Sequence, residues 1–385
     1  VPQLLGEPNS VHYLLSPSQA DLGLMLLGLL MTSYPLALFF ASPVLGALSD
    51  KYGRKPVLVI SIIGTAISYF VFAYAIFTKN IPLLFISRIV DGATGGNISV
   101  AQAAVADLTA PEDRAKTFGM VGAVFGLGFI LGPFLGGILS SSAVNPFFNA
   151  ATPFIFSGCL SILNAISISY FFRESLKEKF REKEIRLLAS LENIVAAKKF
   201  HSVRFLFLVS FLFTAGFSFY TSFFNVYLTN KFNFSAVNVG NFFAYIGVWI
   251  ILTQLFVVRN IPKRFTENVL LGPAYIASGI GILLYLVPDN SWYLFLIVPL
   301  ASIPHGIQHA NYISLLTKTT DQKMLGEVLG VNASVSSLGQ ALPPIFAGAL
   351  AVVFASHVPI LISALLIMLA GVVFIFKVKK THEQL

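Results

Sequence analysis

Residues 46–56 read GALSDKYGRKP. This short segment of charges and glycines lies between two long apolar runs, at about residues 21–49 and 56–77. A helix of about 20 apolar residues is long enough to cross a bilayer. The segment is therefore predicted to be a tight turn that joins two membrane helices.

The whole chain has the composition of an integral membrane protein. Its 385 residues are 56% hydrophobic and only 11% charged, which is too few charges for a chain with a wetted surface. The apolar stretches are continuous and lack the alternation of barrel strands, so they are predicted to be helices. We count eleven spans, at 21–49, 56–77, 81–105, 117–141, 151–172, 204–229, 237–258, 267–287, 292–316, 324–353 and 357–376.

The basic residues indicate the orientation, because Lys and Arg concentrate in cytoplasmic loops. Of the 25 Lys and Arg, 22 fall on the side of the membrane that holds the 46–56 turn. Lys79 and Lys231 lie on the other side, and Arg88 lies inside a span. We expect a multi-pass protein of the cell inner membrane with a cytoplasmic C-terminus. Topology explains the net charge of +8, so no nucleic-acid partner is predicted.

Val1 then lies outside, and the opening VPQLLGEPNS resembles the end of a helix. We therefore expect a first N-terminal span to be missing from this sequence. The single cysteine, Cys159, lies in an apolar run, which excludes disulfides and cysteine metal sites.

A charged segment divides the chain. Residues 173–203 carry charges of both signs, with Phe180, Leu187, Leu191 and Ile194 at helical spacing. This segment is interpreted either as a helix lying on the membrane surface or as a solvated tether. The predicted division is an N-terminal bundle at 1–172, a cytoplasmic linker at 173–203, a C-terminal bundle at 204–380 and a tail at 381–385.

The two halves are weakly similar at an offset of 211 residues. At this offset, identical residues align: Gly95 with Gly306, Gly119 with Gly330, Pro133 with Pro344, and Gly137 with Gly348. Two parallel repeats are typical of one transporter architecture. We therefore predict an all-α membrane protein of two pseudo-symmetric helical bundles.

Three motifs point to a family. The turn fits the pattern G-x-L-x-D-x-x-G-R-K, and Arg88 followed by Gly92 fits R-x3-G. The third pattern, G-x8-G-x3-G-P-x2-G-G, is matched by Gly119, Gly128, Gly132, Pro133, Gly136 and Gly137. The chain resembles the major facilitator superfamily, and residues 44–137 are most similar to its drug:proton antiporters of the tetracycline-exporter branch. The resemblance implies the major facilitator fold, with helices 2–6 and 7–12 of twelve present.

The resemblance also assigns roles to the turn. Gly46 is expected to allow close helix packing, Asp50 to face the N-terminus of a neighbouring helix, and Arg54 to reach Asp107. In the family such contacts latch the two halves in the outward-facing state. The alternative is that the basic residues of the turn only anchor the topology. For the glycines of the third pattern, the alternative to an antiporter motif is generic small-residue packing.

Arg88 and Asp91 are the only charged residues well inside a predicted span. A charge there costs at least ~2.5 kcal/mol, so it should be paired and should face a cavity. Arg88, Asp91, Gly95, Ser99 and Gln102 fall on one helical face, which is a candidate wall of the transport pathway. The alternative is a purely structural ion pair. Asp91 replaces the small residue usual in the tetracycline exporters and is a candidate carrier of the coupling proton.

The C-terminal half offers two histidines. His305 and His309 lie one turn apart in PHGIQHANY, with Ser302 and Tyr312 on the same face. Histidine titrates near neutral pH, which suits proton coupling or substrate contact. The pair either lines a cavity, makes structural hydrogen bonds or binds a metal. We predict no metal site.

The predicted seventh helix is rich in phenylalanine, which faces lipid by default. Tyr220 and Asn225, with Tyr245 and Gln254 of the next span, are instead candidates for an apolar pocket with a few polar contacts.

The function predicted from these features is proton-coupled export of small amphipathic or drug-like molecules by alternating access. No ATP-binding loop of the form GxxxxGK[ST] is present. We expect a monomer that is not an enzyme, has no cofactor, and has protons, a small molecule and the lipid bilayer as its partners. The alternatives are a symporter or facilitator for an organic solute, a membrane-embedded metalloenzyme built on His305 and His309, and a receptor or scaffold without transport.

Overall fold

The computed structural model describes residues 2–8, 10, 12–110, 114–176, 185–200, 203–258, 266–320 and 324–382. Across these residues the regular structure is helical. The helices are α1 (Pro2–Leu5), α2 (Ala20–Tyr52), α3 (Arg54–Phe77), α4 (Ile81–Gly95), α5 (Asn97–Leu108), α6 (Arg114–Leu139), α7 (Thr152–Phe171), α8 (Ala189–Ala196), α9 (Arg204–Phe232), α10 (Ala236–Leu252), α11 (Glu267–Leu284), α12 (Trp292–Lys318), α13 (Leu325–Ala341), α14 (Pro343–Val353) and α15 (Val358–His382).

Every predicted span is occupied by helix, but two of them are broken. The span predicted at 81–105 forms α4 and α5, which separate at Gly96, where Ser42 of α2 lies so close that a side chain would not fit. The span predicted at 324–353 forms α13 and α14, which separate at Leu342, just before a proline that has no N–H to donate. The span predicted at 237–258 ends in a π-helical turn, Thr253–Val258.

Eight helical segments of the described chain are long and apolar enough to cross a membrane. They are Pro17–Tyr52, Arg54–Phe77, Thr152–Phe171, Arg204–Phe232, Ala236–Val257, Glu267–Leu284, Glu327–Val353 and Val358–Val378. The predicted spans at 81–105, 117–141 and 292–316 do not meet that criterion within the described residues, so the count of eleven and the missing first span stay predictions. On α3, Ile60, Ile67 and Tyr74 form an exposed apolar stripe that suits contact with acyl chains.

The helices pack as two groups. In the N-terminal half, α4 packs against α2 and α3, and α7 packs against α3. In the C-terminal half, α9, α11, α12 and α15 share one core, which includes Phe224, Tyr275 and Phe374. The two halves meet where α2 contacts α13 and α14, and where α6 contacts α10.

Each of these two contacts is a close crossing of glycines. A Cβ on Gly137 of α6 would lie 2.6 Å from the Ala236 carbonyl oxygen and 3.2 Å from the Cα of Gly240 on α10. A Cβ on Gly348 of α14 would lie 2.7 Å from the Leu24 carbonyl oxygen and 3.3 Å from the Cα of Gly28 on α2. Only glycine permits this approach of backbones.

The two crossings also use equivalent prolines. The Pro133 carbonyl faces Gly240, and the Pro344 carbonyl faces Gly28. These prolines, like Gly137 and Gly348, are separated by the offset of 211 residues found in the sequence. The residues aligned by the repeat therefore make equivalent contacts.

Four other glycines do not pack as predicted. A Cβ on Gly46, Gly128, Gly132 or Gly136 would meet no atom within 4 Å. The predicted close packing at Gly46 is therefore wrong in this structure, because its side of α2 faces open space. In the antiporter pattern, contact between the halves is concentrated at Pro133 and Gly137. Gly119 lies among residues whose side-chain surroundings are outside the described structure.

The charged segment between the halves contributes α8, which lies between α2 and α13. The Ser190 hydroxyl donates to the Phe39 carbonyl within α2, and Asn193 Nδ2 donates to Ser334 Oγ of α13 at 3.2 Å. Of the predicted apolar residues, Ile194 packs against the hydrophobic core, whereas Leu187 and Leu191 are exposed. Both polar and apolar contacts therefore hold the helix. Phe180 lies outside the described residues.

Candidate functional site

The turn between α2 and α3 is a single residue, Gly53, with a φ of +112° that disfavours any side chain. It places Arg54 at the start of α3, where the residue is 7% exposed. Its guanidinium donates to Ser49 Oγ at 2.6 Å, to Asp50 Oδ1 at 2.5 Å and to Asp107 Oδ2 at 3.0 Å. The predicted contact between Arg54 and Asp107 is thus present, and Asp50 pairs with the same arginine. We call Ser49, Asp50, Arg54 and Asp107 the Arg54 cluster.

Sequence reasoning missed two members of this neighbourhood. The Glu174 carboxylate accepts the backbone N–H of Arg54 at 2.9 Å and that of Lys55 at 3.1 Å. Burial raises the pKa of Glu174, but hydrogen bonds from backbone N–H groups outweigh it and leave the pKa below its usual 4.5. Ser175 Oγ donates to Asp107 Oδ2 at 3.3 Å. The only signal in the sequence was the position of Glu174. It is an acidic residue two positions after the predicted span at 151–172, at the end that lies on the same side of the membrane as the 46–56 turn.

Arg88 and Asp91 form the predicted ion pair on α4. Arg88 Nη1 lies 3.0 Å from Asp91 Oδ2, and Asp91 is 3% exposed. The guanidinium carbon of Arg88 lies 4.4 Å from the ring centre of Phe72 and 5.4 Å from that of Phe154. Two aromatic faces thus stabilise the cation together with the carboxylate.

The rest of the predicted polar face is not continuous. Because α4 ends at Gly95, Ser99 and Gln102 belong to α5, and the predicted face is interrupted at Gly96. Its role as a wall of the transport pathway stays a prediction. Ser99 Oγ donates to the carbonyl of Gly96 at 2.7 Å, whereas Gln102 is exposed. A Cβ on Gly92 would clash with the Tyr34 carbonyl oxygen, because α4 packs directly on α2. This contact explains the glycine four residues after Arg88.

In the C-terminal half, His305 lies against an aromatic row on α9. Its ring centre is 4.7 Å from that of Phe217 and 5.6 Å from that of Phe213. The row continues through Tyr220. Its ring stacks on that of Tyr285, the residue that follows α11, and the two ring centres are 6.2 Å apart. These residues of α9 line its inner face, so the default expectation that they face lipid is wrong. We call Phe213, Phe217, Tyr220 and Phe224 the aromatic row.

Neutral amides surround this row. Gln308 is fully buried, and its Nε2 lies 3.1 Å from His305 Nδ1. Gln308 Oε1 and Asn225 Oδ1 are buried atoms without a protein partner among the described residues. Gln254, in the π-helical turn after α10, donates to the Gly306 carbonyl at 3.3 Å. The structure therefore brings Gln254, His305 and Tyr220 to the same half and leaves buried acceptors open.

Other predicted residues of α12 have structural partners. Tyr312 Oη donates to the Leu206 carbonyl at 3.0 Å and also bonds Asn332 Oδ1 at 2.6 Å, so it ties α12 to α9 and α13. Among the alternatives for this face, the contacts of Tyr312 agree with structural hydrogen bonding. The side chain of His309 lies outside the description. Among the described residues, no group of three or more His, Cys, Asp or Glu is placed to hold a metal.

Comparison with known proteins agrees with the motifs. The family model described as "Major Facilitator Superfamily" matches residues 10–342. The class C tetracycline resistance protein of Escherichia coli is 31% identical over 84% of this chain and 79% of its own length. The quinolone resistance protein NorA of Staphylococcus aureus is 28% identical over 93% of this chain and 88% of its own.

A solved structure is also similar. The human organic anion transporter MFSD10 superposes with a TM-score of 0.71 at 25% identity, over 90% of this chain and 83% of that one. These matches exclude the metalloenzyme alternative, because the relatives and the family are transporters. The chain is a multi-pass membrane transporter and belongs to the Major Facilitator Superfamily.

Proposed function

We propose that this protein is a proton-coupled antiporter that exports small amphipathic, drug-like molecules by alternating access. The observation that carries the proposal is the ion pair of Arg88 and Asp91, buried in a transporter whose relatives are named for tetracycline and quinolone resistance. A buried charge inside a membrane helix marks a functional site by default. Because the sequence has no ATP-binding loop of the form GxxxxGK[ST], the proposed energy source for uphill export is an ion gradient.

Asp91 is the proposed proton carrier. While its carboxylate is ionised, it and Arg88 form a neutral pair; when Asp91 Oδ2 takes a proton, Arg88 keeps a full positive charge without an anionic partner. The rings of Phe72 and Phe154 then hold the cation in place. One proton thus changes the charge inside the N-terminal half, and such a change can bias the equilibrium between two conformations.

The proposed substrate region is the aromatic row with its neutral amides. Aromatic rings accept a flat apolar body, and Asn225, Gln254 and His305 are candidates for a few polar contacts. His309 stays a candidate from the sequence alone. The open acceptor on Gln308 supports this assignment, because a ligand N–H or O–H group would satisfy it. We include Gln102 in the pathway only as an exposed polar residue near the end of α5.

The Arg54 cluster is the proposed latch on the cytoplasmic side. It joins the ends of α2, α3 and α5, so a movement of these helices must break its charge-assisted hydrogen bonds. Pro133 and Gly137 supply the contact with α10 on which the antiporter motif Gly119, Gly128, Gly132, Pro133, Gly136 and Gly137 depends. We place the protein in the cell inner membrane as a monomer, with its C-terminus in the cytoplasm.

Purified protein reconstituted in vesicles with an acidic lumen tests the proposal. Tetracycline and a quinolone are added outside, and the lumenal pH is followed with a trapped dye. Antiport predicts that a transported compound accumulates while the lumen becomes more alkaline. A lumen that becomes more acidic during uptake would establish symport, and uptake without any pH change would establish a facilitator.

The site is tested in the same vesicles with Asp91→Asn and Arg88→Ala. Both variants should lose proton-coupled accumulation. Asp289→Asn is the matched control, because Asp289 pairs with Lys231 at 3.4 Å but its side chain is 99% exposed. Parent-like coupling in both α4 variants would refute the assignment of the proton site.

A further inference from the structure

We propose that Glu174 is a positioning residue that clamps the start of the interbundle segment to the Arg54 cluster. The proposal rests on the proposed latch function of that cluster. Glu174 follows the end of α7 by three residues and belongs to the segment that connects the two halves of the chain. Its carboxylate reaches across to a helix that lies about 120 residues earlier in the chain.

The first contact is with the N-terminus of α3. The first N–H groups of a helix have no partner inside it and carry a partial positive charge. Glu174 Oε1 accepts the N–H of Arg54 at 2.9 Å, and Oε2 accepts the N–H of Lys55 at 3.1 Å. The carboxylate thus caps α3 with both of its oxygens, although it comes from a distant part of the sequence.

The turn is shaped to receive this carboxylate. A Cβ on Gly53 would clash with Glu174 Oε2, in addition to the strain from its positive φ. The N–H of Leu176 donates to Glu174 Oε1 at 3.1 Å and fixes the carboxylate from the other side. Glycine at position 53 therefore serves the clamp as well as the turn.

The second contact is made by the next residue. Ser175 Oγ donates to Asp107 Oδ2, which is the oxygen that also accepts from Arg54 Nε at 3.0 Å. Two consecutive residues thereby bind the start of α3 and the end of α5, which are the same two helix ends that Arg54 joins. The near end of the interbundle segment is held by the latch residues themselves.

The clamp is separate from the contacts that hold α8. Further along the chain, α8 is held by Ser190 on α2 and by Asn193 on α13. Neither contact involves Glu174, so releasing Glu174 should loosen the start of α3 while α8 stays in place. The clamp is therefore local to the Arg54 cluster.

Hydrogen exchange of the purified protein, read by mass spectrometry, tests the clamp without any transport assay. Glu174→Ala and the milder Glu174→Gln are compared with the parent. Exchange at the amides of residues 54 and 55 should accelerate by on the order of tenfold in Glu174→Ala and less in Glu174→Gln. Exchange within residues 189–196 should stay like that of the parent, because the contacts of α8 do not involve Glu174. The control is Glu192→Ala, which removes a charge of the same segment whose pair with Arg186 is exposed.

Transport adds a second readout for any compound that the parent carries. The turnover number of Glu174→Ala should fall by about tenfold, while KM stays within about twofold, since the substrate region is untouched. Its effect should be non-additive with that of Asp107→Asn, because both act on one network.

Unchanged exchange at residues 54 and 55 overturns the clamp. Equal acceleration at 189–196 also overturns it, because the variant would then have loosened the protein as a whole. Failure of the parent to transport refutes the proposed function and leaves the exchange result decisive for the clamp.

Discussion

The two halves of the molecule bury different kinds of polar group. The N-terminal half buries ions, each with a partner: Arg54 with Asp50 and Asp107, and Arg88 with Asp91. The C-terminal half buries neutral amides such as Gln308, which contacts His305 beside the aromatic row. Ions suit a task that depends on protons and on switching, whereas neutral amides and rings suit contact with an apolar ligand.

Substitutions in the two halves should change the free energy of unfolding by different amounts, which experiments can measure. A buried ion that loses its partner is strongly destabilising, whereas the removal of a pair as a whole often costs little. A buried neutral acceptor without a partner costs about 1–3 kcal/mol, and replacing it with an apolar group relieves that cost. The N-terminal half should therefore respond sharply to single substitutions, and the C-terminal half only mildly.

The largest effect is expected at the ion pair on α4. Asp91→Asn leaves the Arg88 cation without its counter-ion and should destabilise the protein by about 3 kcal/mol. The double variant Arg88→Leu, Asp91→Leu should recover most of that loss, since no charge remains buried. Thermal unfolding in detergent measures both. Additive losses in the double variant would contradict the view that the pair is a single electrostatic unit.

An intermediate effect is expected where the halves touch. Ala at Gly137 or Gly348 puts a Cβ within 2.7 Å of a carbonyl oxygen, and overpacking of this kind costs about 1–3 kcal/mol. Gly132→Ala is the matched control, because its Cβ meets nothing within 4 Å. A helix gains up to about 1 kcal/mol when Ala replaces Gly, so the control should be neutral or stabilising. Equal thermal shifts for all three variants would show that the crossings are not tight.

The smallest effect is expected in the C-terminal half. Gln308→Leu removes the hydrogen bond to His305 and also removes the unsatisfied Oε1, so stability should change by less than about 1 kcal/mol. The KM for a transported compound should rise, because an acceptor of the substrate region is lost. A large loss of stability with an unchanged KM would place Gln308 in the scaffold and would weaken the contrast between the halves.

The sequence predicted what depends on neighbours in the chain or on motifs. Arg88 and Asp91 are three residues apart on one helix, so their pairing needs no tertiary information. The contact of Arg54 with Asp107 came from a family pattern and is present. The offset of 211 residues aligned Gly137 with Gly348, which make equivalent contacts in the structure. The roles of these residues in transport stay predictions.

The misses depend on tertiary contacts that leave little trace in the sequence. In a chain this apolar, hydrophobic periodicity does not distinguish a ring facing lipid from one facing the core, so the sequence left both environments open for the aromatic residues of the predicted seventh helix. The break at Gly96 follows from the proximity of Ser42, and the position of α8 follows from Ser190 and Asn193. Glu174 caps a helix from which it is remote in sequence, so no local capping pattern reveals it.

The paired glycine crossings restrict how the two halves can move. Two separate points of contact define a line, and a rigid body held at two points keeps one rotation, about that line. Rotation about the line through the Gly28–Gly348 and Gly137–Gly240 contacts preserves both of them, whereas sliding or twisting separates at least one. If the two halves move as rigid bodies in the proposed alternating access, rocking about this line is therefore the motion that keeps both crossings closed.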